Sequence, residues 1–212
     1  MRTVKMLGAL FVAASLLCAN ALGHGGKYDK NGCHVDHKTG LRHCRAATAK
    51  SVCEGKAPAV GDENVLHGRV ISVTDGDTFN AKIQGAVMKF RMADIDAPEK
   101  DQPYGREARA TLAAALDGKD VVMLRVDNDP YGRIVVHVWI AKLHINHEVM
   151  AQGAAWFDRE YAHDDCLFHV ENEARDAKRG LWKLPVEKRV EPWVWRERKR
   201  DAVKHHQKSA PG

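Results

Sequence analysis

Five short segments rich in valine and isoleucine, separated by turn-forming residues, constrain the fold of this chain more than any other feature. The last of them alternates a purely aliphatic face with a mixed one, which is the period of a half-buried strand. Asp-Gly-Asp and Gln-Gly sequences supply turn chemistry between the first three segments. The pattern predicts strands, largely antiparallel, over residues 66–73, 78–83, 86–92, 121–126 and 134–140.

An alanine-rich stretch, residues 106–116, separates the third predicted strand from the fourth and favours a helix that ends at Gly118. Further helices are predicted at 146–152 and 167–178, each with a glycine shortly after it. Five strands, one inserted helix and helices at the end fit a mainly β protein with helices (α+β), namely a five-stranded OB-fold barrel. An open α+β sheet built from the same elements is the alternative.

Residues 1–21 have the pattern of a secretory signal peptide: a basic start, twelve uncharged residues from Leu7 to Cys18, and small residues before the cleavage position. The apolar stretch is shorter than the roughly 20 residues of a membrane span, which disfavours a retained anchor. We therefore expect cleavage after Ala21, a periplasmic or secreted protein, and no membrane attachment after cleavage.

Residues 22–60 form a Cys/His-rich segment and linker with little to bury. Cleavage would remove Cys18 and leave four of the five cysteines, an even number that suggests disulfides in an oxidising compartment. Cys33 and Cys44 are close in the chain and are the favoured pair. The histidines between them make Zn²⁺ ligation the alternative, although oxidation would remove the thiolate ligands.

The net charge of +5 is concentrated at the carboxyl end. Residues 184–212 contain eight Lys/Arg and four Asp/Glu, so this segment alone has a charge of +4. We treat residues 185–212 as a basic tail, in which Trp193 and Trp195 supply aromatic faces. The tail can follow a phosphate backbone and stack on bases, or its tryptophans can pack on the barrel; both interpretations stay open here.

Three short motifs lie at ends of the predicted strands, within residues 61–184. They are Asp75-Gly-Asp77-Thr78, the run from Arg91 to Glu99, and Tyr131-Gly-Arg133. Each alone is typical of an ordinary turn or surface loop. Together they supply several carboxylates and two arginines, because loops from different strands can converge at one mouth of a barrel.

That combination of residue types suits phosphodiester chemistry. Carboxylate oxygens bind hard cations, so Ca²⁺ or Mg²⁺ is expected rather than Zn²⁺. Arginine matches phosphate oxygens with its planar fork. A metal and two arginines can neutralise charge that develops on phosphate, while a carboxylate activates water.

These motifs, with Gly180-Leu-Trp182, resemble the staphylococcal nuclease family over about residues 65–182. The resemblance implies an OB-fold barrel and a Ca²⁺-dependent phosphodiesterase acting on DNA and RNA, with 3′-phosphate products. It also implies a role for each motif residue: metal ligands Asp77, Asp96 and the Ala97 carbonyl, catalytic Arg91, Glu99 and Arg133, substrate-binding Tyr131, and Asp75 and Thr78 beside the metal.

The family's best-known members have threonine at the position of Ala97, which leaves a main-chain ligand but puts metal affinity in doubt. We therefore predict an exported, metal-dependent nuclease of low sequence specificity, with nucleic acid as its partner and no stable protein partner implied. The rivals are a non-catalytic OB-fold module that binds nucleic acid, and a metal-binding envelope protein that acts through the His/Cys segment.

Overall fold

The computed structural model describes residues 33–35, 42–44, 57–58, 61–162 and 164–208. Two short strands, β1 (Cys33–Val35) and β2 (Arg42–Cys44), pair with one another within the Cys/His-rich segment. The pairing of the cysteines lies outside the residues whose side chains are described, as does the predicted signal peptide. None of the helices in the described part of the chain is both long and apolar enough to cross a membrane.

Five long strands close into a barrel, as predicted. They are β3 (Val65–Val73), β4 (Thr78–Ile83), β5 (Ala86–Met92), β7 (Asp120–Asn128) and β8 (Ile134–Ile140). Their order is β5-β4-β3-β7-β8, and the barrel closes where β5 and β8 pair in parallel, with Arg91 opposite Val135. All other neighbours in the barrel are antiparallel. Three further strands have two residues each: β6 (Ile95–Asp96), β9 (Leu143–His144) and β10 (Trp156–Phe157).

Four α-helices surround the barrel. They are α1 (Gly105–Leu116), α2 (Ile145–Ala151), α3 (Asp165–Asp176) and α4 (Pro192–Lys208), with short 3₁₀ turns at Gly180–Lys183 and Val186–Lys188. The first three confirm the predicted helices to within about two residues at each end. The fourth lies in the basic tail, where no helix was expected.

The core forms because alternate residues of each barrel strand face inward. Phe79 and Phe90 stack across β4 and β5 with ring centroids 5.4 Å apart, and both are fully buried. Leu112 and Leu116 of α1 pack into the same cluster, so α1 covers one end of the barrel. Burying each of these large side chains stabilises the fold by about 1.5–3 kcal/mol.

A second, smaller cluster joins the carboxyl-terminal part of the chain to the domain. Trp156 and Trp182 meet edge to face with centroids 4.5 Å apart, and Trp193 approaches Trp156 at 6.2 Å. Of the two interpretations of the tail, packing on the domain is therefore the one that applies to Trp193. This contact holds the first turn of α4 against the body of the protein.

The glycine of the Asp-Gly-Asp turn is needed for close packing. Gly76 is buried, and it does not have the positive φ that turns often demand of glycine. A Cβ at this position would lie 2.5 Å from the Cβ of Ala97 and 2.9 Å from that of Ala108. The turn between β3 and β4 therefore touches both α1 and the loop after β6, which brings Asp75 and Asp77 to that loop.

We predict that Gly76→Ala lowers the free energy of unfolding by about 1–3 kcal/mol, because the added methyl overpacks this contact. The measurement is urea denaturation of Gly76→Ala, Ala97→Gly and the double variant. Removing the Ala97 methyl makes room for the new one, so the double variant should be more stable than additivity allows, by at least about 0.5 kcal/mol. Strict additivity would show that the steric contact is not the cause.

Candidate functional site

One buried guanidinium joins two aspartates that lie on different strands. Arg91 Nη1 is 3.1 Å from Asp77 Oδ2, and Nη2 is 3.2 Å from Asp96 Oδ1. Nη1 also donates to the carbonyl oxygens of Met92 and Ile95, at 3.1 and 2.6 Å. Only 13 % of the Arg91 side chain is exposed, so this group pairs with both carboxylates away from bulk water.

Strand register explains why these groups meet. Thr78, at the start of β4, pairs with Arg91 near the end of β5, and Arg91 pairs on its other side with β8. Asp77 immediately precedes β4, and its Oδ2 accepts a hydrogen bond of 2.8 Å from the N–H of Ala97. Closure of the barrel therefore brings the first two motifs together at one end.

Thr78 connects the third motif to the first. Its hydroxyl donates to Asp77 Oδ1 at 2.9 Å and accepts from Arg133 Nη1 at 3.1 Å. The side chain of Arg133 is also paired through Nε with Asp129 Oδ2. The main-chain N–H of Arg133 donates to Asp129 Oδ1 at 2.9 Å. Asp129 thus fixes the direction of the Arg133 guanidinium toward the aspartates.

Burial and the closeness of the carboxylates raise the pKa of two of these aspartates. Burial, followed by the charge and hydrogen bonding of Asp77, raises the pKa of Asp75 to about 6. Burial also raises the pKa of Asp96; the hydrogen bond from Arg196 opposes this, and the Asp77 charge adds to it. Both shifts arise mainly because burial disfavours the charged carboxylates, and a cation bound beside them would oppose that effect.

Tyr131 lies at the rim of this pocket. It is 85 % exposed in the turn between β7 and β8, and its ring lies 5.7 Å from the Arg133 guanidinium carbon. An exposed aromatic ring beside a guanidinium that can bind phosphate is able to stack on a base. The structure therefore places Tyr131 outside the buried network and next to it.

Arg196 is the site residue that the sequence did not predict. Its Nη2 donates to Asp96 Oδ2 at 2.7 Å, and its Nη1 donates to Asp96 Oδ1 at 3.1 Å and to Glu99 Oε1 at 2.9 Å. The hydrogen bonds link Glu99 to the aspartates through this guanidinium. Nothing in the spacing could reveal it, because Arg196 lies about one hundred residues after its partners in a segment dense in Lys and Arg.

Helix α4 is held over the site by contacts on both sides of Arg196. Trp193 packs on Trp156, as described above, and Trp195 Nε1 lies 3.4 Å from Asp101 Oδ1. Lys199 Nζ donates to Asp101 Oδ2 at 2.6 Å. Because Asp101 lies two residues after Glu99, these bonds attach the helix to the loop that contains the site carboxylates.

The structure therefore brings together almost every residue that the motifs singled out. Arg91, Asp77, Asp96, Thr78 and Arg133 share direct contacts, and Ala97 and Asp75 contact Asp77. Glu99 joins them through Arg196, and Tyr131 flanks Arg133. The predicted disulfide or zinc residues Cys33 and Cys44 lie in strands whose side chains are outside the described part.

Comparison with known proteins identifies related chains. A family model described as "Staphylococcal nuclease homologue" matches residues 89–184. A protein of Escherichia coli named "Uncharacterized endonuclease" is 39 % identical over 135 residues, which are 63 % of this chain and 87 % of that one. A "Micrococcal nuclease" of Shigella flexneri is 32 % identical over 177 residues, 78 % of this chain and 99 % of its own length. In rice, Oryza sativa subsp. japonica, a "Probable staphylococcal-like nuclease CAN2" is 34 % identical over 134 residues, 63 % of this chain and 34 % of that protein.

We predict that Arg91→Gln lowers the free energy of unfolding by about 3–5 kcal/mol in metal-free buffer, because two buried carboxylates lose their partner. Arg69→Gln is the matched control. Arg69 also pairs with an aspartate, Asp120, but its side chain is 61 % exposed, so its loss should cost less than about 1 kcal/mol. Chemical denaturation of both variants is the measurement, and equal costs would contradict the proposed role of Arg91.

Proposed function

The chain belongs to the staphylococcal nuclease family, whose homologues support a nuclease function for it, and we propose that it is an exported, divalent-metal-dependent nuclease acting on DNA and RNA. The observation on which this depends is the convergence of Asp77, Asp96 and Glu99 with three arginines at one end of the barrel. The export proposal is supported by the signal-peptide pattern of residues 1–21.

The donor set fits a hard divalent cation. Asp77 and Asp96 offer carboxylate oxygens within reach of a single guanidinium, and burial, with the Asp77 charge adding to it, raises the pKa of Asp96. Oxygen ligands of this kind favour Ca²⁺ or Mg²⁺. We propose Asp77, Asp96 and the carbonyl of Ala97 as ligands of Ca²⁺, which when bound would stabilise negative charge on the phosphate.

The side chains divide the remaining chemistry among them. Glu99 is about 37 % exposed, and its carboxylate can accept a proton from, or orient, a water molecule directed at phosphorus. The guanidinium of Arg133, already aimed by Asp129 and Thr78, can bind the non-bridging phosphate oxygens. Arg91 adds positive charge behind the carboxylates. Hydrolysis by this route breaks the bond from phosphorus to the 5′ oxygen, which leaves the 3′-phosphate products proposed.

Recognition in this arrangement is directed at phosphate. Two arginines that grip phosphate oxygens read no base edges, so low sequence specificity follows. Tyr131 contributes a ring on which any base can stack. DNA and RNA can therefore both be substrates.

A non-catalytic OB-fold that only binds nucleic acid remains the main rival proposal. It would need neither a buried pair of metal-binding carboxylates nor a glutamate beside them, and this chain has both Asp77–Asp96 and Glu99. The second rival, a metal-binding envelope protein acting through residues 22–60, predicts that deleting that segment removes the function while the barrel has no nuclease activity.

We predict Ca²⁺-dependent cleavage of denatured DNA that stops in excess EGTA. Glu99→Gln should lower turnover by about 10²–10⁴-fold, because the base or water-orienting carboxylate is lost. Glu107→Gln, an exposed glutamate in the first turn of α1, is the matched control and should cleave like wild type. Undiminished cleavage in EGTA would remove the metal from the mechanism, and a near-wild-type rate for Glu99→Gln would remove Glu99.

Arg196 occupies the oxygens that this proposal assigns to the metal and to the water-activating base. Its guanidinium contacts both oxygens of Asp96 and one of Glu99, so a cation that binds Asp96 must compete with it. A hydrogen bond between charged groups contributes about 1.5–3 kcal/mol. Losing it on metal binding would lower the affinity for Ca²⁺.

We therefore predict that Arg196→Gln binds Ca²⁺ about tenfold more tightly or better, measured by calorimetric titration without substrate. Arg200→Gln removes the same charge from an exposed position of the same helix and should bind Ca²⁺ like wild type. Weaker or unchanged binding by Arg196→Gln would show that the guanidinium does not compete with the cation.

A further inference from the structure

A second group of ligand-type side chains lies outside the pocket described above, between β8, α2 and the start of α3. It consists of three histidines and two aspartates, which we call the histidine cluster: His137, His144, His147, Asp94 and Asp164. We propose that the histidine cluster is a transition-metal site, with Zn²⁺ as the ion its chemistry favours and with His144, His147 and Asp164 as ligands.

Distances within the cluster suit such an ion. His144, His147 and Asp164 each offer one ligand atom, and the three atoms lie within 4.8 Å of one another. His147 Nε2 is 3.1 Å from Asp164 Oδ2. Bonds of about 2.0–2.1 Å at tetrahedral angles place two ligand atoms about 3.3 Å apart. This pair therefore needs almost no movement to share an ion.

The rings are already held in place. The His144 ring stacks on Trp139, with centroids 4.5 Å apart and planes 10° from parallel. His137 Nε2 lies 3.3 Å from Asp94 Oδ2, which leaves its Nδ1 directed at His144 Nε2, 3.2 Å away. His137, itself held by Asp94, therefore orients the His144 ring through Nε2, which is the kind of supporting contact that metal-bound histidines usually have.

His144 has an unmet polar requirement in the described part of the structure. The residue is only 7 % exposed, and its Nδ1 has no hydrogen-bond partner among the described residues. A buried ring nitrogen without a partner is an atom whose polar requirement a bound ion would satisfy.

Asp164 is suited to the same ion for a different reason. Its Oδ1 accepts a hydrogen bond from the N–H of Cys166, which holds the side chain in place, and its Oδ2 lies 3.1 Å from His147 Nε2. Both Asp164 and His147 are partly exposed, which gives an ion a path of entry.

The ligand types determine the class of metal. Imidazole nitrogens with one carboxylate suit Zn²⁺ and its neighbours in the first transition row, whereas Ca²⁺ and Mg²⁺ prefer oxygen ligands alone. The cluster and the acidic pocket around Asp96 should therefore select different ions. This inference does not depend on the nuclease proposal, because metal binding can be measured without substrate.

The experiment titrates zinc into the purified full chain, stripped of metal, and measures binding by calorimetry. Two variants test the cluster: His147→Gln, and Asp164→Asn, which keeps an amide oxygen able to cap α3. Each should weaken zinc binding at least about tenfold. His67→Gln, an exposed histidine on β3, is the matched control and should bind zinc like wild type.

Two further measurements control for zinc binding by the amino-terminal segment and for variants that fail to fold. A Cys33→Ser/Cys44→Ser variant should keep the cluster site, and loss of all binding in that variant alone would overturn the proposal in favour of the amino-terminal segment. Co²⁺ added to the wild-type chain should give the visible bands of four- or five-coordinate nitrogen and oxygen ligation, which tests the site even if a variant fails to fold. Absence of zinc binding by wild type, or binding by both cluster variants as tight as that of wild type, would also overturn it.

Discussion

Repulsion between buried carboxylates is the constraint around which this end of the barrel is organised. Asp75, Asp77 and Asp96 are brought together by strand register and by a turn that requires glycine at position 76. Charges in such surroundings are costly unless they are paired. Arg91 supplies the pairing from within the sheet, and Arg196 supplies more of it from a distant helix. Burial is the main reason why the pKa of Asp75 and of Asp96 is raised, and the Asp77 charge adds to it in both, so a further cation would stabilise the ionised carboxylates.

Helix α4 contributes to the charge pairing of this pocket as well as to packing. Trp193 fixes its first turn on the domain, and Lys199 fixes the next turns on Asp101. Between these anchors, Arg196 reaches the oxygens of Asp96 and Glu99. A basic tail that merely surrounded nucleic acid would not need this placement. The helix therefore stabilises the acidic pocket through these contacts, and a metal bound by the same oxygens would have to displace them.

The features that could be predicted from the sequence are those that residues close together in the chain determine. Alternation located the five barrel strands, with β4, β5 and β8 matching residue for residue, and the motifs at strand ends located the acidic pocket. The Arg196 contact and the histidine cluster could not be predicted, because each joins segments that only folding brings together. Considered singly, His137, His144 and His147 each fit an ordinary strand, loop or helix histidine. His163, which fits the same interpretation, lies outside the described residues. Gly76 shows the same limit on a smaller scale, since the turn was evident in the sequence but the methyl groups that exclude a side chain there were not.

The short loop between β5 and β6 explains how the acidic pocket and the histidine cluster can lie so close together. In a regular strand, residues two apart point to the same face, so Asp94 and Asp96 would be expected to share partners. Asp94 instead has a φ of 63°, a left-handed conformation that aspartate tolerates better than most residues, and this breaks the alternation. Its carboxylate accepts the N–H of Asp164 at 3.0 Å and contacts His137, while Asp96 is bound by Arg91 and Arg196. The backbone conformation at Asp94 thus directs Asp94 and Asp96 into separate clusters. Each cluster is therefore stabilised by its own charged partners and shares no carboxylate with the other.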